Sequence, residues 1–241
     1  MDIKTLKSSL SETYKYRIEL HAHTSPASSC SEVSPEEVVT IYKELGYDAV
    51  VIANHFSFEY QDSTKQQVID RFFLDLENAH KKGEELGINV IPAAEIRFTE
   101  NDNDYLIYGI TEKMMEEIYD LLPYGVDNFR RAYSMPDSVF LQAHPFREGM
   151  VLADPAILDG IEVFNLHPNH NSKIGLAAVY ANEQKFPIIT AGSDFHHTGR
   201  KHEGVSAMLS RILPEKSFDI ARILKSGDYL LEAGRKNIII P

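Results

Sequence analysis

Short apolar runs rich in Val, Ile and Tyr recur along the chain, at Arg17–Leu20, Ala49–Ala53, Val90–Ala94, Tyr105–Ile110, Val139–Ala143, Gly160–Phe164, Pro187–Ala191 and Val205–Leu209. Most are nearly continuous rather than alternating, as expected of strands buried on both faces of a parallel sheet. Helical patterns lie between them. Ser34-Pro35-Glu36-Glu37 supplies a cap, a proline for the first turn and a glutamate three residues after the cap, and Gly46 stops a helix predicted over Ser34–Leu45. Further helices are predicted over Thr64–Leu86, Glu112–Leu122, Asn171–Gln184 and Pro214–Ser226, ended in turn by Gly87, Pro123, Phe186-Pro187 and Gly227. Alternating strands and helices are the α/β order, and about seven or eight strands in a chain of this length fit a compact (β/α) barrel. A doubly wound sheet is the other arrangement this order allows. No GxGxxG follows the first strand, so the dinucleotide-binding version of that sheet is disfavoured.

Composition narrows the class. The 241 residues are 43% hydrophobic and 25% charged, the balance of a folded globular chain, and no linker, repeat or low-complexity stretch divides them. We therefore expect one domain over 1–241. The net charge of −12 argues against general binding to a nucleic-acid backbone, which needs a basic face. No apolar run approaches the ~18 residues of a membrane span, and the start has no apolar core of signal-peptide length. The single cysteine, Cys30, allows neither an intramolecular disulfide nor a paired-cysteine zinc motif. A cytoplasmic location is the expectation, with no membrane partner. Nothing in the sequence sets an oligomeric state.

The chemistry sits at the ends of the predicted strands. The first ends in Leu20-His21-Ala22-His23, the second in Ala53-Asn54-His55 and the third in Ala94-Glu95. The fifth ends in Ala143-His144-Pro145, and the seventh in Gly192-Ser193-Asp194-Phe195-His196. In a barrel these tips share one face, where active sites are built. Five imidazoles and two carboxylates would converge there, a costly burial unless divalent cations compensate it, and mixed imidazole and carboxylate ligands suit Zn, Mn or Fe. Side chains two apart on a strand point the same way, so His21 and His23 can reach one ion, as can Asp194 and His196. A carboxylate such as Glu95 can bridge two ions. Other histidines read differently. His80 is mid-helix and His202 lies in a polar loop, both as surface groups. His197 should point away from the ligands, and His167 and His170 follow a sixth strand tip as candidate substrate or supporting groups.

Taken together, the five motifs resemble, in order and spacing over nearly the whole chain, the Polymerase and Histidinol Phosphatase (PHP) family of metal-dependent phosphoesterases. The resemblance implies a distorted (β/α)7 TIM-like barrel with two or three divalent metal ions at the C-terminal ends of the strands. It assigns His21, His23, Glu95 and Asp194 to a first ion, Glu95 and His144 to a second, and His55 and His196 to a third. Three positions depart from the family pattern. Ser29-Cys30-Ser31 stands where the family has Ser-Asp-Gly, so Cys30 occupies the position of an aspartate ligand. Asp104-Tyr105 stands where a histidine commonly follows the glutamate, making either a substitute ligand. Asn54 stands for a supporting aspartate before His55.

The implied function is hydrolysis of a small phosphomonoester, such as a nucleotide or sugar phosphate, by a metal-activated hydroxide. Asp194 and His196 are the candidates for moving protons. Arg147, in His144-Pro145-Phe146-Arg147, can reach the phosphate, its plain alternative being a surface ion pair with Glu148. His167 is a second substrate-binding candidate. Arg130-Arg131 and Arg200-Lys201 read as solvated charge pairs. Two other readings stay open: a metal-dependent amide hydrolase, and a catalytically inert metal-binding regulatory module.

Overall fold

The computed structural model describes residues 2–199, 204–235 and 237–241. The first strands are β1 (Tyr16–Ala22), β2 (Ala49–Ser57), β3 (Asn89–Arg97) and β4 (Asp104–Tyr108). They are followed by β5 (Val139–Gln142), β6 (Gly160–Asn165), β7 (Ile188–Gly192), β8 (Ser206–Ser210), β9 (Tyr229–Ala233) and β10 (Ile238–Ile239). The helices are α1 (Ile3–Thr13), α2 (Pro35–Glu44), α3 (Lys65–Leu86), α4 (Glu112–Leu121), α5 (Val126–Ala132), α6 (Ile174–Gln184) and α7 (Ser217–Ser226). All strands join one sheet in the order β10-β9-β8-β1-β2-β3-β4-β5-β6-β7. The sheet curls. Just past β7, Phe195 makes a parallel bridge to Ala22 at the end of β1, with His23 N–H donating to Phe195 C=O (2.9 Å).

The predicted strands form, but two run against the expected direction. β4 is antiparallel to both β3 and β5, because only residues 98–103 separate it from β3, too few for the crossover a parallel neighbour needs. β8 is likewise antiparallel to β1 and leads into the antiparallel β9 and β10. Helix starts move where local caps decide. Thr64 and Gln67 form a reciprocal capping box that begins α3 at Lys65. The Asp219 carboxylate accepts the N–H groups of Glu215 and Lys216, which delays α7 to Ser217. His202 and the Arg200-Lys201 pair lie outside the described residues. Among the described residues, no helix is long and apolar enough to cross a membrane.

Burial follows a period of two along the strands, which positions the site. Val50, Ile52, Ala94, Tyr105, Ile107, Phe140, Ile161 and Val163 face the layer of helices. Val51, Ala53, Ile91, Ala93, Leu106, Tyr108, Val139 and Leu141 fill the opposite, inner face of the curl, together with residues of α7. Ser217 of α7 accepts the N–H groups of Gly109 and Ile110 just past β4, so this helix covers one end of the inner core. The polar residues lie at the other end.

Candidate metal centre

On that inner face, the two-residue period that buries Val51 and Ala53 next presents His55. The period that buries Ile91 and Ala93 next presents Glu95. β4 runs the other way, so its first residue, Asp104, arrives at the same rim. Its neighbour Tyr105 turns to the helix layer and stacks on Phe140 at 5.0 Å, so Tyr105 is a core residue and not a ligand. His21 of β1 and His23 just past its end reach inward as well, with their Nε2 atoms 3.0 Å apart.

Glu95 is the centre of the cluster. Its Oε1 lies 3.0 Å from His144 Nε2 and 3.3 Å from His21 Nε2, and its Oε2 lies 2.9 Å from His55 Nδ1 and 3.4 Å from His23 Nε2. Asp194 Oδ1 lies 3.3 Å from His23 Nε2, 3.3 Å from His196 Nδ1 and 3.7 Å from His21 Nε2. His21, His23, Glu95, His144 and Asp194 are each at most 1% exposed. Three sets of side chains could each hold an ion: His21, His23 and Glu95; His55, Glu95 and Asp104; and His23, His55 and His196. Ligands at about 2.1 Å around a tetrahedral ion stand roughly 3.4 Å apart, close to the spacings found here. The residues therefore fit divalent cations. Buried Glu95 Oε2 and His144 Nδ1 lack a well-formed hydrogen bond, so Glu95 Oε2, among the ring nitrogens, is open to coordination.

Electrostatics point the same way. Burial opposes charge on Glu95, yet the rings of His21 and His55 hold its carboxyl well below the ordinary range. Burial also opposes charge on Asp194, but His21 and Arg147 keep it ionised. Burial disfavours the imidazolium of His21, and Glu162, Glu95 and Asp194 overcome this and push it well up. His23 is pushed well down by burial and then by His196 and His55. Carboxylates that draw protons onto neighbouring rings are carboxylates that a cation can satisfy instead.

Supporting residues fix these groups. Glu162 of β6 accepts from His21 Nδ1 (2.8 Å), from the N–H of His144 (3.2 Å) and from Asn165 Nδ2 (2.9 Å), and Asn165 also donates to Asp194 (3.2 Å). Glu19 accepts the N–H groups of His21 and Ser193 (3.0 Å each), tying the end of β1 to the turn that carries Asp194. Asn54 accepts from Thr24 N–H and Ser28 Oγ, and Ser28 Oγ lies 3.0 Å from His23 Nδ1. His144 (φ 30°) and Asp194 (φ 51°) both adopt left-handed backbone, a strain that persists only where the surroundings hold it. Glu162 and Glu19 were not singled out from the sequence. The available signal was a lone carboxylate inside a predicted strand.

The remaining candidates line the mouth, a cleft of about 870 Å³. Arg147 does not pair with Glu148. Its guanidinium donates to Asp194 and to Asn165 Oδ1 (2.9 Å), while its buried Nε has no partner. Cys30 Sγ lies 3.1 Å from His196 Nε2. Burial raises the thiol, but hydrogen bonds from His196 and His55 bring it down to about 6. His167 packs edge-on to His196 at 5.5 Å, and burial pushes it down to about 3, so it is neutral. Asp104 is clamped by Arg97 through two 2.7 Å hydrogen bonds. His197 lies at the edge of the cleft, 3.2 Å from the Glu32 carboxylate. His80 is a surface residue beside Glu84, and Arg130 lies over Phe140 on α5, away from the cluster.

An α/β sheet whose strand ends gather imidazoles and carboxylates into shared cation-binding sets defines a candidate metalloprotein. No family model matches the chain, and no curated protein does. Among solved structures it is similar to a "putative metal-dependent phosphoesterase" from Bifidobacterium adolescentis, 18% identical with a TM-score of 0.51 over 86% of this chain and 96% of that one. It is also similar to a two-domain protein from Bacteroides vulgatus described as containing a "predicted PHP-like metal-dependent phosphoesterase". That match is 15% identical with a TM-score of 0.59, over 91% of this chain but only 65% of the larger one, less than two thirds of its length. At these identities the likeness is one of fold, and the fold is that of PHP-like phosphoesterase structures.

Proposed function

We propose that the chain is a PHP-type metal-dependent hydrolase acting on a small phosphomonoester, its curled ten-stranded sheet serving as a distorted barrel of the (β/α)7 type. The observation that carries the reading is the convergence of His21, His23, His55, Glu95, His144, Asp194 and His196 on one buried rim at the floor of an open cleft. His21, His23, Glu95 and Asp194 would hold one ion, Glu95 and His144 with Asp104 a second, and His55 and His196 a third. Divalent ions held there would supply Lewis acidity for activating water and for offsetting charge on the phosphoryl oxygens.

The chain's own residues do the rest. Arg147 fixes Asp194 and lines the cleft, where its guanidinium can meet a phosphoryl oxygen. Arg97 and Lys173 also line the cleft, among the carboxylates of Asp102, Asp104, Glu148 and Asp194, so an anionic substrate would depend on the cations for its attraction. His196 is held by its Nδ1 to the carbonyl oxygen of Asp194 (2.8 Å), which leaves Nε2 as the ring's ligand atom. Neutral His167 contacts the substrate from the β6 side.

The test is turnover of a panel of phosphate esters, with amides as the contrast, by purified protein supplied with Mn or Zn. Phosphate release that depends on metal and disappears in His21→Ala is expected. Metal bound at the rim without turnover of any ester overturns the enzymatic reading, and turnover of amides alone moves the chemistry to carbonyl substrates.

A further inference from the structure

We propose that the outward face of α6 (Ile174–Gln184) is a self-association surface, on which a second copy of this chain lays the same helix antiparallel across a two-fold axis.

The helix is apolar on both sides. Ala177 and Ala181 are buried toward the core, as expected of the inner side of a helix that covers a sheet. On the other side Leu176 (54% exposed) and Val179 (56% exposed) stand about one turn apart in solvent, beside exposed Gly175 and Ala178. No charged residue occurs from Ile174 to Asn182. The exposed faces of other helices are built differently, with a Glu77–Lys81 ion pair on α3 and a Lys113–Glu117 pair on α4. Gly175, Val179 and Asn182 follow the alternating four- and three-residue spacing of a helix–helix seam. A Cβ on Gly175 would meet no atom within 4 Å, so a second backbone has room to approach there.

The two ends of the helix indicate what covers this face. Charge appears at Lys173 on one side and Glu183 on the other, each five residues from Ala178. Both are exposed, and among the described residues neither has an ion-pair partner. The first turn of α6 holds no acidic residue and receives no side-chain cap, so the positive end of its dipole is unbalanced. An antiparallel copy crossing at Ala178 brings Glu183 of each helix to Lys173 and the uncapped first turn of the other, while Lys185 falls opposite uncharged Asn171. The contact is thus complementary to itself, which is the condition a two-fold interface imposes. With a net charge of −12 two copies repel over distance, and the face that adds no net charge is where they can meet. A single pair of helices lies at the small end of stable interfaces, so the dimer should dissociate on dilution. Asn171 and Lys173 also line the cleft, which places the contact beside its mouth.

The experiment is sedimentation of the full chain over a range of concentrations. A monomer–dimer equilibrium is expected in the native sequence, and Val179→Glu should be monomeric throughout with an unchanged circular dichroism spectrum. Glu183→Lys and Lys173→Glu should each weaken association about tenfold, since like charges then face each other twice, and mixing the two variants should restore it. In a Cys30→Ser background, Val179→Cys should cross-link to itself under mild oxidation, whereas Leu74→Cys, on the exposed side of α3, should not. A chain that is monomeric at every concentration overturns the proposal, as does a dimer that survives both Val179→Glu and the charge reversals. A monomer in which phosphatidylcholine vesicles slow labelling of the Val179→Cys thiol gives the face to a lipid surface and overturns it as well.

Discussion

Glu162 shows how one side chain can organise several others. Its two oxygens hold the outer nitrogen of His21, the main chain of His144 and, through Asn165, the carboxylate of Asp194. Outer partners of this kind fix ring orientation and ligand basicity, so Glu162→Ala should weaken metal affinity about 10–100-fold, read by titration calorimetry. Unchanged affinity would mean that the ligands hold themselves. Gly192 makes the arrangement possible. A Cβ there would overlap the Glu162 carboxylate and lie 2.5 Å from His21 Cβ. Gly192→Ala should therefore cost about 1–3 kcal/mol in denaturant unfolding, through overpacking, and reduce metal content as well. His21→Ala should lose metal and activity together.

At the scale of the strand, direction and parity decide which residues meet. Asp104 and Tyr105 were both open as substitutes for a missing histidine ligand, and the alternation of β4 separates them. Leu106 and Tyr108 share the inner face with Asp104, whereas Tyr105 shares the helix-facing side with Ile107. The apolar runs and cap residues made the strands, most helices and the convergence of His21, His23, His55, Glu95, His144, Asp194 and His196 legible from sequence. The reversal of β4 was less visible, because it depends on the short link over 98–103 rather than on the run itself. Glu162 was hidden because its role is contact with three separate strand ends, which only the curled sheet creates. Helix α1 and strand β9 escaped notice too. α1 buries no residue to give it a clear apolar face, and β9 is a five-residue strand supported by its neighbour β8. Tyr105→Phe should leave metal content unchanged, since the Tyr105 hydroxyl meets Asn103 (3.3 Å) and not the cluster. Phe140→Ala, which removes the ring stacked on Tyr105, should cost about 3–5 kcal/mol of unfolding free energy.

Over the whole molecule, the cluster joins β1, β2, β3 and β4 to the segments that follow β5 and β7, so an ion held there couples strands that lie far apart in the curled sheet. Ligand binding to the folded state alone stabilises it by about 2.7 kcal/mol at 100 times the dissociation constant. At about 2–4 °C per kcal/mol for a chain of this size, Zn or Mn should raise the melting temperature by roughly 5–11 °C, and a chelator should reverse the rise. The account stands most directly on the metal content of the purified chain, measured elementally after exposure to Zn or Mn and removal of loosely held ions. It predicts more than one equivalent per chain in the native sequence and a clear loss in His21→Ala. A chain that retains no ion, or a variant that retains as many as the native sequence, would contradict it.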